Sequence, residues 1–447
     1  MAVAVVLSAA IGLGAAAWLR RPAGPVRPAQ RVILLGFDGV APNILDILVA
    51  QGQLPNMKRL IEQGVYGRLR SASPAKSAIL WTSIATGKGM LKHGIIDWTY
   101  VNKKGLSVPY EDRSRRVKTY WEILSERGVK TGTLNWWTSY PPAPILNGYI
   151  VSNAFRHTEE PGTVHPMRLY ARLEPLRMNR SQALQEMPAL GLPRWAPEDA
   201  TVPLANAREV LDAYALYVAQ DLTVERSSDY LWEHEPAEMF STYFRLVDVT
   251  SHFAVYFADR KAYDRAEALE ARGALTPDEE AKIDQAFAAV VAPAYRFMDR
   301  IVGKYLARLD ERSALVLCSD HGFRFFKGNY AHAHLAMEPP DGVILLAGAG
   351  IRLGSRLSGA SIFDVAPTLL HLLGQPVAAD MDGGVLTAAL QEETLRRAPV
   401  RTVASYETGT RRAASDAAGE HPKLDKDVLD DLKTLGYISG DDKKPER

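Results

Sequence analysis

Apolar positions along the chain fall into short unbroken runs separated by stretches with helical spacing. This is the pattern of strands buried on both faces and alternating with covering helices. The first run, Val32-Ile33-Leu34-Leu35-Gly36-Phe37, ends in Asp38. Behind it the spacing predicts a helix over 43–63, broken at Leu54-Pro55-Asn56 and stopped at Gly64, and then a short strand over Val65–Ser71. A Pro-containing loop leads to Ser77 and a helix that closes at Gly87. A helix over Tyr120–Arg127, closed by Gly128, precedes strands over Val129–Leu134 and Tyr149–Ser152. Residues 154–235 break the alternation with Pro193, Pro197 and Pro203 and one amphipathic helix over Leu204–Arg226, and read as an inserted cap. The pattern resumes with a strand over Met239–Asp248, charged helical sequence over 259–290, a helix over Ala294–Leu309 and strands over Ala314–Ser319 and Gly342–Gly348. A helix containing Asp364–Leu370 follows. This order predicts a wound α/β sheet, with ligands met at the carboxyl ends of its strands.

The two ends of the chain carry a different pattern. Ala2–Leu19 is uncharged and rich in Ala, Val, Leu and Gly, at the lower limit for spanning a bilayer, with Arg20 and Arg21 directly after it. Residues 1–21 are therefore expected to anchor the chain in a membrane or to direct its export. Arginines placed after such a segment favour a cytoplasmic body, so sidedness is left open. Pro22–Gln30 reads as a linker, and 31–400 as the catalytic domain. The polar stretch 401–447 reads as a tail with one short helix near Lys426–Leu435, which presents Val428, Leu432 and Leu435 on one face.

With 447 residues the chain is long enough for one large α/β domain with insertions. Its 53 basic and 52 acidic residues leave a net charge of +1, which argues against a reader of nucleic-acid polymers and suits a small substrate. The single cysteine, Cys318, lies within a predicted strand and excludes both an internal disulfide and a thiolate zinc site. Any bound metal must be held by Asp, Glu, His and Ser. No feature of the pattern specifies an oligomeric state.

Three predicted strands end in acids: Asp38, Asp248 and Asp320. His321 follows Asp320 directly, and His252 lies four residues after Asp248, on one helical face with it. His332 and His334 stand just before the strand at 342–348, and the shorter loop to that strand favours His334. Mixed Asp/His sets suit zinc, and two such ions can clamp the attacking and leaving oxygens of an in-line displacement.

The chain resembles the alkaline phosphatase superfamily and, within it, the type I phosphodiesterase/nucleotide pyrophosphatase group. The resemblance is carried by Leu35-Gly36-Phe37-Asp38-Gly39, the Ser77–Gly87 segment, His93-Gly94-Ile95-Ile96-Asp97, Ser319-Asp320-His321-Gly322 and Asp364-Val365-Ala366-Pro367-Thr368, with Gly374 and Met381-Asp382-Gly383. It covers roughly 31–153 and 239–388. It implies a three-layer α/β/α sandwich with a mostly parallel sheet and an inserted cap. It also implies two divalent ions, zinc by preference, one held by Asp38, Asp320, His321 and Ser77 and the other by Asp248, His252 and His334. Ser77 would attack phosphorus and form a covalent phosphoserine, making the protein a two-metal phosphodiesterase. The alternatives are a phosphomonoesterase, an envelope head-group transferase and an inactive metal-binding scaffold. Two departures bear on specificity: Ser77 stands where many relatives use threonine, and Trp98 where they carry an asparagine. The Ala78-Ile79-Leu80-Trp81 that follows Ser77 lacks the x-Pro-x-Arg of sulfatases.

Overall fold

A computed structural model gives the fold. It describes residues 26–195, 207–257, 259–273, 275–326, 329–332 and 338–407, together with Lys426, Leu429, Asp430, Leu432 and Lys433. The expected anchor at 2–19 lies outside the described residues, as do Val428 and Leu435 of the last helix. Among the described residues no helix is long and apolar enough to cross a membrane.

The chain opens with strand β1 (Arg31–Phe37), helices α1 (Pro42–Ala50) and α2 (Pro55–Gln63), strand β2 (Gly64–Leu69) and helix α3 (Ser77–Thr86). Helix α4 (Tyr120–Glu126), strands β3 (Thr131–Leu134), β4 (Gly148–Val151) and β5 (Val164–His165), and the 28-residue helix α5 (Ala207–His234) follow. Next come strand β6 (Met239–Phe244) and helices α6 (Leu246–Phe257), α7 (Arg260–Ala271) and α8 (Pro277–Leu306). Strands β7 (Ser313–Cys318), β8 (Gly342–Gly348) and β9 (Ser355–Leu357) and helix α9 (Val365–Leu372) complete the main elements.

The strands form one nine-stranded sheet in the order β9-β2-β8-β7-β1-β6-β3-β4-β5. β1 lies at its centre, parallel to β6 on one side and β7 on the other. Alternate residues of β1 feed two separate cores. Ile33, Leu35 and Phe37 pack with residues of α1, α2, α5, α6 and α8, whereas Val32 and Leu34 pack with residues of α3, α4 and α9. Helices thus cover both faces, giving a three-layer α/β/α sandwich. β8 departs from the parallel pattern, pairing antiparallel with both β7 and β2. The described residues between β7 and β8 hold no helix, and without a helical crossover a returning strand pairs antiparallel.

Other differences from the expected elements have local causes. The stretches read as helical over 259–290 and 294–309 include one continuous helix, α8, with Pro293 inside it. Its buried stripe of Ile283, Phe287, Val291, Ala294, Met298, Ile301 and Tyr305 at helical spacing outweighs the hydrogen bond that proline removes. The expected linker ends early, because the Ala29 N–H donates to the Leu372 carbonyl and Ala29 is buried. The expected tail begins late. Thr402–Val403 pairs with Val377–Ala378, and Glu407 joins Asp380 in pairing with the buried Lys88. In the stretch expected as a cap, α5 lies in the core layer that carries Tyr217, Val218 and Leu222.

The turn after β1 brings the carboxyl ends of the central strands into contact. Gly39 has φ +72°, and a Cβ there would lie 2.7 Å from Asp248 Cα and 2.8 Å from the Phe323 ring. Gly52 has nearly the same φ, +73°, with nothing within 4 Å. Gly39→Ala is therefore expected to cost about 2–4 kcal/mol, from left-handed strain plus overpacking, against about 1 kcal/mol for Gly52→Ala. Urea unfolding of the two variants checks this; equal costs would show that the close approach imposes no constraint.

Candidate metal centre and nucleophile

Every candidate acid sits where a central strand gives way to a loop or helix. Asp38 follows β1, and its N–H donates to the Phe244 carbonyl at 2.9 Å, locking it to the end of β6. Asp248 and His252 lie one turn apart on α6. Asp320 and His321 follow β7, and Ser319 ties that corner to the Asp38 loop. The Ser319 hydroxyl accepts from the Val40 N–H at 2.8 Å and donates to the His321 carbonyl at 2.9 Å.

These elements bring five of the expected side chains together. His321 Nε2 lies 3.2 Å from Asp38 Oδ1, 3.6 Å from Asp320 Oδ2 and 3.8 Å from Asp248 Oδ1. His252 Nε2 lies 3.5 Å from Asp248 Oδ1. The late histidine at the cluster is His332, with Nε2 3.7 Å from Asp248 Oδ1 and 3.2 Å from His252 Nε2. His334, the late histidine favoured on loop length, lies outside the described residues. Arg324–Phe326 pairs antiparallel with Asn329–Ala331, and this return of the chain delivers His332 to the site. Its ring stacks on that of His321 at 3.7 Å and 8°.

Two overlapping donor groups result: Asp38, Asp320 and His321, and Asp248, His321 and His332, each with ligand atoms within 4.8 Å of one another. Their chemistry fits a cation. The His321 Nδ1–H donates to the Gly322 carbonyl at 3.1 Å, so in the neutral ring Nε2 turns a lone pair toward three carboxylates. Neither oxygen of Asp320, nor His321 Nε2, nor Ser77 Oγ has a hydrogen-bond partner among the described residues. Buried polar groups left in this state call for an ion or a proton between them.

The protonation pattern carries the same strain. Burial, and then the charge of Asp38, push Asp320 well above the carboxylate range. Burial also opposes ionisation of Asp38, but the His321 ring beside it prevails and brings it down to about 2. His321 is held up at about 10, because the surrounding acids outweigh its burial. His332 is driven well below the usual imidazole range by burial and by its histidine neighbours. A cation among these groups would take over the role that the His321 proton otherwise fills.

Ser77 is the first residue of α3 and is buried. The His332 ring lies beside the backbone of Ala75, on the loop that carries Ser77. Ala78 lines an aromatic pocket with Trp98, Tyr110, Trp137, Tyr140 and Leu432. The lysines that flank the loop are both paired, Lys76 with Asp97 and Lys92 with Asp382. Several of these contributors were missed in the sequence: Ser319, Tyr243 (whose hydroxyl donates to Asp38) and the late placement of Leu432. Ser319 and Tyr243 were detectable only as polar atoms in otherwise apolar strand ends.

A family model described as type I phosphodiesterase / nucleotide pyrophosphatase matches residues 32–360. Among solved structures, murine ectonucleotide pyrophosphatase / phosphodiesterase 5, an inactive variant in complex with AMP, is 13% identical. The match covers 81% of this chain and 100% of that one, with a TM-score of 0.47. A phosphonate monoester hydrolase from Silicibacter pomeroyi is 13% identical over 81% of this chain and 78% of that one, with a TM-score of 0.44. A 2-O GAG sulfatase is 13% identical over 80% and 73%, with a TM-score of 0.49. A comparison with curated proteins gives no match.

His93 fixes α3 from behind. Its Nδ1 accepts from the Ile95 N–H at 3.1 Å, so Nε2–H donates to Ser83 Oγ, also at 3.1 Å. Burial, then the charge of Arg115, lower its pKa to about 3. The folded state therefore excludes a proton that the unfolded chain binds below about 6.5. The stability this contributes is complete above pH 6.5 and is lost as pH falls toward 3, by at most about 1.4 kcal/mol per pH unit. His93→Gln should show a correspondingly shallower fall in unfolding free energy between pH 6.5 and 4. Identical slopes in urea titrations of the two proteins would contradict this account of His93.

Proposed function

We propose, from the premise that the chain belongs to the type I phosphodiesterase/nucleotide pyrophosphatase family and is a phosphoester hydrolase, that it cleaves phosphodiesters through a phosphoserine at Ser77. The observation that carries this reading is the pair of donor groups sharing His321, with Ser77 Oγ, which has no hydrogen-bond partner among the described residues, on a loop beside His332. The family is metal-dependent. Asp38, Asp320, His321 and Ser77 would hold one dication, and Asp248, His252 and His332 the other. Bound there, two dications would lower the pKa of the Ser77 hydroxyl and offset negative charge on the phosphoryl oxygens.

Ser77 Oγ attacks phosphorus, the bond from phosphorus to the leaving oxygen breaks, and the departing alkoxide takes up a proton. Water then cleaves the phosphoserine, freeing a monoester and restoring the hydroxyl. Burial of Ser77 limits water's access until the first product has left.

Preference for diesters rests on charge. A monoester carries an additional negative charge, and enzymes that favour it add a cationic group over the phosphoryl oxygens. Lys76 and Lys92, the lysines flanking this loop, have their charges matched by Asp97 and Asp382. Trp98 and Trp137 instead offer apolar faces beside Ala78, suited to a second organic substituent.

Ser77→Ala should fold normally and lose at least about a thousandfold in kcat, since no other side chain can form the covalent intermediate. Undiminished hydrolysis of bis(p-nitrophenyl) phosphate by the purified variant would remove Ser77 from the mechanism. For the wild-type enzyme, kcat/KM for bis(p-nitrophenyl) phosphate should exceed that for p-nitrophenyl phosphate. The reverse order would make the protein a phosphomonoesterase.

A further inference from the structure

Asp38 terminates a buried hydrogen-bond chain that the reaction just described does not use. Trp137 Nε1–H donates to the Tyr243 hydroxyl at 2.8 Å, and that hydroxyl donates to Asp38 Oδ2. An indole N–H can only donate, so Tyr243 must accept from it and direct its own single proton at Asp38. The direction of the chain is therefore fixed by chemistry alone. Asp38 Oδ1, the other oxygen, is the one that faces His321 Nε2.

The surroundings hold the phenol rigidly. Tyr243 is fully buried, its ring meets Trp81 edge-on at 4.8 Å and 71°, and its carbonyl accepts from Asn135 Nδ2 at 3.0 Å. Gly36 leaves room for that contact, since a Cβ there would fall 2.7 Å from the Trp81 ring. The donor is also neutral. A lysine or arginine in its place would compensate the charge of Asp38 and weaken its hold on a cation, whereas a phenol orients the carboxylate and leaves that charge in place.

We propose that Tyr243, backed by Trp137, is a positioning residue that holds Asp38 Oδ2 and so reserves Oδ1 for a metal ion. The proposal rests on the reading of Asp38 as a metal ligand. Hydrogen-bond partners behind metal ligands typically set affinity by about 10–100-fold.

The test is zinc affinity and does not depend on turnover. The full-length protein is stripped with a chelator and titrated with Zn2+ against a competing chromophoric chelator, for wild type, Tyr243→Phe, Trp137→Phe, the double variant and Asp38→Ala. Tyr243→Phe keeps the ring against Trp81 and should weaken one of two zinc sites by about 10–100-fold, leaving the other within about twofold. Trp137→Phe should weaken the same site less. The double variant should be no worse than Tyr243→Phe, because Trp137 acts through the phenol. Wild-type affinity in Tyr243→Phe, or an equal loss at both sites as from general loosening, would overturn the proposal. If Tyr243→Phe fails to fold, Trp137→Phe decides by the same criterion. Asp38→Ala binding as many ions as wild type would instead refute Asp38 as a ligand, an outcome distinct from failure of the relay.

Discussion

Three buried carboxylates, those of Asp38, Asp248 and Asp320, converge on the single imidazole nitrogen of His321. Two like charges about 4 Å apart repel by about 4 kcal/mol at an effective dielectric near 20. Asp38 and Asp320 offer ligand oxygens within 4.8 Å of each other, and one such pair is already a large share of the whole stability of an ordinary domain, about 5–15 kcal/mol. The arrangement therefore persists only with positive charge inside it. A proton on His321 supplies one unit, and burial together with the charge of Asp38 favours the neutral form of Asp320. Divalent cations would supply enough to ionise all three acids.

The fold converges on that demand from several directions. β1 delivers Asp38 at the centre of the sheet, and its parallel neighbours β6 and β7 lead to the other two acids on either side. Gly39 lets the backbone after Asp38 touch that of Asp248, and Ser319 joins the first corner to the third. Helix α3 is held from behind by His93, while His332 lies beside the loop before Ser77. The strain of a dense acidic centre is thus carried by glycine, hydroxyl and imidazole contacts that are local and short.

Much of this was legible in the sequence because it is local. An apolar run ending in an acid announces both a strand and the position of its last side chain, as with Asp38 and Asp320. The spacing from Asp248 to His252 specifies a shared helical face. The late histidine was harder, since residues two apart in sequence, as His332 and His334 are, share a side wherever a chain is extended. What brings His332 to the cluster, the return of 329–331 along 324–326, is a pairing between strands rather than a property of either. The orientation of β8 was hidden for the same reason. Tyr243 and Trp137 read as ordinary buried aromatics, and only the tertiary structure turns their polar atoms toward Asp38. The ends of the domain were misjudged where single residues, Ala29 and Glu407, dock against distant elements.

The central claim is that positive charge within this cluster comes from two bound dications. Anomalous diffraction at the zinc edge, from crystals of the purified protein grown with zinc, tests it most directly. The account predicts two peaks about 4 Å apart, one among Asp38, Asp320 and His321 and the other among Asp248, His252 and His332. A single peak, or none at these side chains in zinc-saturated crystals, would contradict it.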